Sequence, residues 1–399
     1  MPQPIANLGK LPPYLFAELD RKIAQAKAKG VDVISLGVGD PDLPTPAPIV
    51  KALQEAVADP STHNYSSYTG TDEFRRAAAD WMRERFGVEI DPSDEVIALI
   101  GSKEGLAHLI LTYIAEGDVT LYPSPAYPVY RNFTLLCGGE PVAVPLLPEN
   151  EFLPDLDAIS PDAAKRAKLL FLNYPNNPTG AIAPESFIKK AIEFCTRHDI
   201  LLCHDNAYSE MTFDGYKAPS FLSVPGAKDV CIEMFSTSKM YNMTGWRIGF
   251  AAGNKAALKA LGTVKDNTDS SAFKAIQRAA AEGFKHSDEL TKDLNDIYGR
   301  RRKIFIEGLN RLGWDFHPPA ATFYLWIPVP ASFTSEEFAA LLLEKCGIVV
   351  PPGSAYGPEG EGFFRVALTA PEERLKEALA RMEKAGIRFD DSGNLAKTA

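Results

Sequence analysis

Residues 231–251 read CIEMFSTSKMYNMTGWRIGFA. The apolar run CIEMF ends in Ser236, Thr237 and Ser238, and Lys239 follows at once. Arg247 comes eight residues after the lysine, at the head of a second apolar run. Short apolar runs bounded by turn residues read as strands buried on both faces. A lysine just past the end of such a strand sits at the mouth of a sheet, partly desolvated. Desolvation disfavours the ammonium and frees the amine to attack a carbonyl. A solvated loop lysine is the plainer alternative, and this stretch alone does not exclude it.

The same pattern recurs upstream. EVIALIGS (95–102), VTLYPSP (119–125), PVAVPLL (141–147), KLLFLNYP (168–175) and ILLCHDNAY (200–208) are apolar runs that end in polar or turn residues. Segments with helical periodicity stand among them: 48–59, 72–86, 104–115, 127–138 and 187–199. Strands alternating with helices predict an α/β fold, a mostly parallel sheet between helices, with ligands bound beyond the carboxyl ends of the strands. Helical spacing also covers 14–29, ended by Gly30, and 31–40 reads as a short strand running into a loop.

Beyond about residue 285 the character changes to a long charged helix (288–313), strands at 321–329, 348–353 and 363–369, and helices at 333–347 and 371–386. This predicts a smaller α+β domain. The expected organisation is an N-terminal arm and helix over 1–35 packing with the small domain, a large domain over 36–285, and the small domain over 286–399. The last dozen residues read as a frayed tail.

The chain has 399 residues, 45% hydrophobic and 24% charged, which excludes a disordered or fibrous protein and leaves material for a sizeable core. Its net charge of −10 argues against a nucleic-acid partner or an anionic membrane surface. No apolar run approaches membrane-span length, and the first residues lack the features of a signal peptide, so a cytoplasmic location is expected. Five cysteines with no C-x-x-C spacing predict reduced thiols and no metal site.

Three further motifs carry chemistry. HisAspAsnAlaTyr (204–208) closes a strand with a carboxylate. Asp205 either caps a turn or holds a protonated ring nitrogen, since a buried unpaired charge is expensive. Tyr208 either packs as an aromatic or donates its hydroxyl to a ligand oxygen. AsnTyrProAsnAsnProThrGly (173–180) marks a tight turn after a strand, in which Asn177 could present its amide to a ligand. GlySerLysGluGly (101–105) lies between a strand and a helix, the setting in which backbone N–H groups and the helix dipole bind phosphate. It matches neither a Walker loop nor a dinucleotide fingerprint.

The pattern S-x-S-K-x-x-x-M-x-G-W-R-x-G, with N-N-P-T-G and D-x-A-Y before it, resembles the class I/II aminotransferases of fold type I, which use pyridoxal 5′-phosphate (PLP). The resemblance runs from the LGVGDPD segment (36–42) to FFRVALT (363–369). It implies a fold-type I PLP-transferase exchanging amino groups between amino acids and 2-oxo acids in a ping-pong cycle. Lys239 is implied to bond covalently to the cofactor and to carry the substrate proton. Asp205 is implied to keep the pyridine nitrogen protonated, and Tyr208 and Asn177 to hydrogen-bond the ring oxygen. Tyr127 is implied to stack on the ring. Ser102, Lys103, Ser236, Ser238 and Arg247 are implied to hold the phosphate. Tyr65 is implied to reach the phosphate of a neighbouring subunit, which makes the expected assembly a homodimer with shared sites. Arg365, helped by backbone at Gly39, is implied to bind the substrate α-carboxylate.

Longer strings, among them YSSYTGTDEFRRAAADW and CHDNAYSEMTFDGYKAPSFL, resemble a branch of the family whose substrates carry a second charged end. Lys103, Glu104 and Asn267 are candidates for that end. The chain departs from the branch pattern at Asn206, Met240, Ser271 and Lys274. Aspartate, alanine or aromatic aminotransfer stays open within the family, as do elimination and cyclopropane-forming chemistry. A ligand-sensing regulator on this fold is disfavoured, because no helix-turn-helix precedes it.

Overall fold

The computed structural model describes residues 2–13 and 15–389. Of the expected frayed tail at 388–399, residues 390–399 lie outside the described residues, as does Tyr14 at the head of the first predicted helix, whereas Phe389 is tied down, its N–H donating to the Leu312 carbonyl at 2.8 Å and its ring packing on Trp314.

Eleven strands form in chain order: β1 (Ile34–Ser35), β2 (Val96–Leu99), β3 (Val119–Ser124), β4 (Glu140–Pro145), β5 (Ala167–Leu172), β6 (Leu201–Asn206), β7 (Cys231–Ser236), β8 (Gly249–Gly253), β9 (Tyr324–Pro328), β10 (Ile348–Val349) and β11 (Phe363–Ala367). Seven of them make one sheet in the order β2-β8-β7-β6-β5-β3-β4. β8 alone runs antiparallel to its neighbours. The sheet is mostly parallel, as the alternating pattern implied.

Both faces of this sheet are covered, which is why its central strands are apolar runs rather than alternating ones. One face packs Ala98, Leu170, Leu202, Phe235 and Phe250 against helices that include Asp72–Phe86, Glu185–His198 and Lys274–Lys285. The other packs Leu99, Phe171, Cys203 and Met234 against helices Ser102–Tyr113, Val129–Leu136 and Lys255–Thr268. The helix boundaries follow local chemistry. Thr71 caps Asp72–Phe86 by accepting from the Phe74 N–H, and Gly87 ends it in the left-handed region at φ 67°.

A second core gathers β9, β10, β11, helices Ser335–Cys346 and Glu372–Lys384, and the C-terminal half of the long helix Ser287–Arg311. The N-terminal segment joins it. Ile34 and Ser35 pair in parallel with Ile348 and Val349, and the Ala367 N–H donates to the Leu36 carbonyl at 2.7 Å. The expected boundary at residue 36 therefore lies inside a segment stitched to the second core. From there the chain passes Gly37 and Gly39 across the carboxyl ends of the central strands, and Arg301 anchors it by a two-pronged pair with Asp42 at 2.6 and 2.8 Å. Among the described residues, no helix is long and apolar enough to cross a membrane.

Candidate active site

A cavity of about 280 Å³ opens at the carboxyl ends of β5, β6 and β7. It is lined by Gly39, Ser102, Lys103, Tyr127, Asn177, Asp205, Tyr208, Ser236, Ser238, Lys239 and Arg247. Clefts of about 680 and 540 Å³ lie elsewhere, but neither holds this set. Convergent chemistry rather than volume picks out the site.

Lys239 lies in the short helix that follows β7, where Ser236 accepts from the Ser238 N–H. The lysine Nζ donates to the Gly39 carbonyl at 2.6 Å. Burial lowers its pKa to about 8, helped by the charges of Arg365 and Arg247 and opposed by Asp40. A substantial share of neutral amine is therefore present near neutral pH, as a nucleophile on a carbonyl requires.

Asp205 stands near the end of β6, with one oxygen satisfied and one not. Oδ2 accepts from the Tyr130 hydroxyl at 2.7 Å, whereas Oδ1 is buried and accepts no hydrogen bond. Burial raises the carboxyl pKa to about 6, against the lowering effects of the Tyr130 hydrogen bond and of His204. A buried acceptor without a donor costs about 1–3 kcal/mol. This oxygen therefore fits a ligand that brings an N–H of its own.

The opposite wall suits an anion. Helix Ser102–Tyr113 begins at the cavity, with the positive end of its dipole on the wall. Gly101 precedes it at φ 76°, and a Cβ there would lie 2.3 Å from Nη2 of Arg247. The missing side chain is the space the guanidinium occupies. Arg247 itself adopts φ 56° and donates from Nη1 to the Thr244 carbonyl at 2.9 Å.

Arg365 lies behind Asn177 and is fully buried. Nη1 donates to Asn177 Oδ1 at 2.8 Å, Nη2 donates to the Gly37 carbonyl at 2.7 Å, and the guanidinium stacks between the rings of Tyr324 and Tyr356. Each of these nitrogens keeps a second hydrogen, so the fork retains donors for a carboxylate. Tyr208 is buried, and its hydroxyl meets that of Tyr324 at 3.2 Å. The Lys103 ammonium lies 5.9 Å from the centre of the Tyr127 ring. Tyr65 stands outside this cavity, 86% exposed.

Two candidates for the second charged end are not brought to the cavity. Glu104 turns away to accept from the Ile100 N–H and the buried Lys265, each within 3.0 Å, and its carboxylate lies 2.6 Å from His108 Nδ1. Lys265 also pairs with Asp269, so its ammonium fills the cluster of Glu104, His108 and Asp269. Asn267 is exposed and donates back to Thr263 of its own helix. Of the departures, Asn206 points to the far face of the sheet and donates to Glu233 at 3.3 Å.

Three site residues carry no separate signal in the sequence reading. Tyr130 holds Asp205 from the first turn of helix Val129–Leu136, and the Tyr127 ring, just before that helix, meets it edge-on at 6.2 Å. Asn173 donates to the Asp205 carbonyl at 2.6 Å and accepts from the Asn177 N–H at 2.7 Å, so it ties the two motifs together. Tyr324 of β9 reaches the cavity from the second core, and only the fold reveals that approach.

A buried lysine of lowered pKa, an unpartnered buried carboxylate oxygen and an arginine beside a helix start thus meet beyond parallel strands, a set suited to amine–carbonyl chemistry on an anionic ligand. The chain belongs to the class I and II aminotransferase family, whose model matches residues 31–382. The LL-diaminopimelate aminotransferase of Gloeobacter violaceus is 57% identical over 387 residues, 96% of this chain and 99% of its own. LL-diaminopimelate aminotransferase 2 of Trichormus variabilis is 56% identical over 384 residues, 96% of this chain and 98% of its own. Among solved structures, substrate-bound BacF of Bacillus subtilis superposes with a TM-score of 0.94 at 37% identity, covering 98% of this chain and 100% of that one.

Proposed function

We propose that this aminotransferase is PLP-dependent and acts as an LL-diaminopimelate:2-oxoglutarate aminotransferase in lysine biosynthesis, moving an amino group between glutamate and tetrahydrodipicolinate. The observation that carries the cofactor reading is the buried, unpartnered Oδ1 of Asp205 in one cavity with Lys239 and Arg247. Identity above one half, over nearly the whole length of relatives named for this substrate, supports the substrate reading.

PLP, when bound, supplies a carbonyl that takes the amino group and a ring that accepts the electrons released at the substrate Cα. The protein's own groups do the rest. Lys239 would be the residue that bonds to the cofactor, and its buried amine, with a lowered pKa, would be the group that carries a proton at the substrate Cα. Asp205 would accept from the ring N–H through Oδ1. Arg247, Ser236, Ser238 and the helix start at Ser102 would hold the phosphate. Tyr208 and Asn177 would donate to the ring oxygen, and Tyr127 would cover the ring face. Arg365 takes the α-carboxylate, with Gly39 backbone beside it. Lys103, the one second-end candidate on the cavity wall, faces the distal charged group. The exposed Tyr65 reaches the phosphate of a second copy, so the working unit is a homodimer with shared sites.

The test is a half-reaction on holoenzyme, mixing it separately with LL-diaminopimelate, glutamate, aspartate, alanine and phenylalanine and following the visible absorbance of bound PLP. Loss of the band with LL-diaminopimelate and glutamate alone is expected. Loss with aspartate or phenylalanine instead overturns the substrate, and no band after PLP is supplied overturns the cofactor.

A further inference from the structure

Directly behind Asp205, on the far face of the sheet, lies a second polar cluster that the transfer chemistry does not use. His204 and Glu233 are partners across β6 and β7, and both are 0% exposed. His204 Nδ1 meets Glu233 Oε1 at 2.6 Å. Its other nitrogen, Nε2, lies 2.8 Å from the Tyr174 carbonyl oxygen. The Tyr174 N–H also donates toward that nitrogen from 3.3 Å, so Nε2 has one neighbour that donates and a nearer one that accepts. The imidazole stacks on Phe221 with centroids 3.7 Å apart.

Glu233 is saturated with donors. Besides the imidazole it accepts from the Phe221 N–H at 2.9 Å, from the Asn206 amide at 3.3 Å and from the Ser220 hydroxyl. A carboxylate that only accepts is an ionised one. On the imidazole side, the shortest neighbour of each nitrogen is an oxygen that can only accept. A neutral ring offers one proton and leaves one of those two short contacts without a hydrogen. The doubly protonated ring satisfies both, and Glu233 neutralises it.

The other ionisable groups around the ring do not compete for that charge. From its own strand these are Cys203 and Asp205, from β7 Cys231, and from the loop after β5 Tyr174. Burial raises both thiols and the Tyr174 phenol well above their ordinary values, so they stay neutral. Asp205 is the remaining carboxylate, and a charge on His204 favours its ionised form.

We propose that His204 is a positioning residue of the cofactor site: an imidazolium clamped between Glu233 and the Tyr174 carbonyl, which fixes β6 to the 173–177 loop and holds Asp205 ionised from behind. This rests on the PLP reading above. The Tyr174 contact lies next to Asn173, which itself binds the Asp205 backbone and the Asn177 N–H. One ring thereby sets both the charge of the aspartate and the register of the asparagine loop.

The first measurement uses wild-type holoenzyme labelled with ¹⁵N-histidine. The chain has six histidines, and the variant His204→Asn assigns the signal. Two protonated ring nitrogens at neutral pH are expected, and a neutral ring with Nε2 unprotonated overturns the proposal. The second uses PLP labelled with ¹⁵N in the ring, bound to wild type, His204→Asn and Glu233→Gln. The ring nitrogen is expected to shift toward its unprotonated value in both variants, with PLP affinity lowered about tenfold, the equivalent of one pKa unit. Bound PLP with an unmoved ring nitrogen overturns the proposal and leaves the cofactor reading standing. A wild type that binds no PLP overturns that reading instead. If one of the two variants fails to fold, the other identifies the His204 signal by its loss or its shift, and the wild-type spectrum still decides.

Discussion

The Lys239 amine and the Gly39 carbonyl oxygen stand 2.6 Å apart, two hundred residues apart in sequence. The nucleophile of the large sheet is held by backbone that belongs to the entry segment of the second core. That contact and the burial around it set when the amine becomes reactive.

Lys239 has its pKa depressed to about 8, so the neutral amine grows as pH rises through that value. Capture of PLP by apo-protein is expected to quicken about tenfold per pH unit below pH 8 and to level off above it. Stopped-flow absorbance reads this directly. A rate still climbing at pH 10 would show an ordinary, solvated lysine. Lys239→Ala should bind PLP without the covalent bond and lose transamination altogether.

Asp205 is held near pKa 6 partly by the Tyr130 hydroxyl, which favours the ionised form. Tyr130→Phe removes that donor, so the carboxyl moves up and is less ionised at pH 7. The acid limb of kcat/KM is expected to shift upward by about 1–2 pH units, the worth of a hydrogen bond to a charged group, with activity recovering at higher pH. A pH–rate profile with an unmoved limb contradicts this role.

Gly101→Ala places a Cβ 2.3 Å from the Arg247 guanidinium on a backbone at φ 76°. The arginine end can swing aside, but then it leaves the anion wall. PLP affinity should fall by at least tenfold, with a stability loss of about 1–3 kcal/mol from the strained backbone. Equilibrium dialysis and thermal melts separate the two effects, and unchanged affinity would place the phosphate elsewhere.

Arg365→Lys keeps the charge and loses the planar fork between two tyrosine rings. A loss of about 2–4 kcal/mol in kcat/KM, similar for every amino-acid substrate, is expected because all share the α-carboxylate. Steady-state kinetics with LL-diaminopimelate and glutamate tests it. A loss confined to one substrate would assign Arg365 to the distal end.

Tyr65 is 86% exposed and lies away from the cavity of its own chain. If it serves a partner, mixing inactive Lys239→Ala with weakened Tyr65→Ala should restore activity, because every mixed dimer then carries one intact site of its two. Failure of complementation, with mixed dimers verified, would leave each chain to its own phosphate.

The sheet was legible because its strands are buried on both faces and so stand out as apolar runs between turn residues. Lys239, Asp205 and Asn177 were legible because each sits just past such a run, in a motif a few residues long. What was not legible depends on chain segments meeting from afar. Nothing around Glu104 announces that Lys265, one and a half hundred residues on, will claim its carboxylate. Likewise Tyr324 has no neighbour in sequence that marks it as a cavity residue. Asn206 adjoins Asp205 in sequence but faces the other side of the sheet, since alternate side chains in a strand point to opposite faces.

The pairing of Ile34–Ser35 with Ile348–Val349 has a consequence for synthesis. The entry segment leaves the ribosome some three hundred residues ahead of its partners. Domains fold broadly from the N-terminus during synthesis, and contacts between distant segments wait for both ends. The central sheet has all its strands once residue 253 has emerged. Gly39 can settle over Lys239 only after β10 and β11 have arrived. The nascent chain therefore carries an assembled anion wall and a lysine without its backbone tether over the whole interval between residues 253 and 367, and only after it is the amine enclosed.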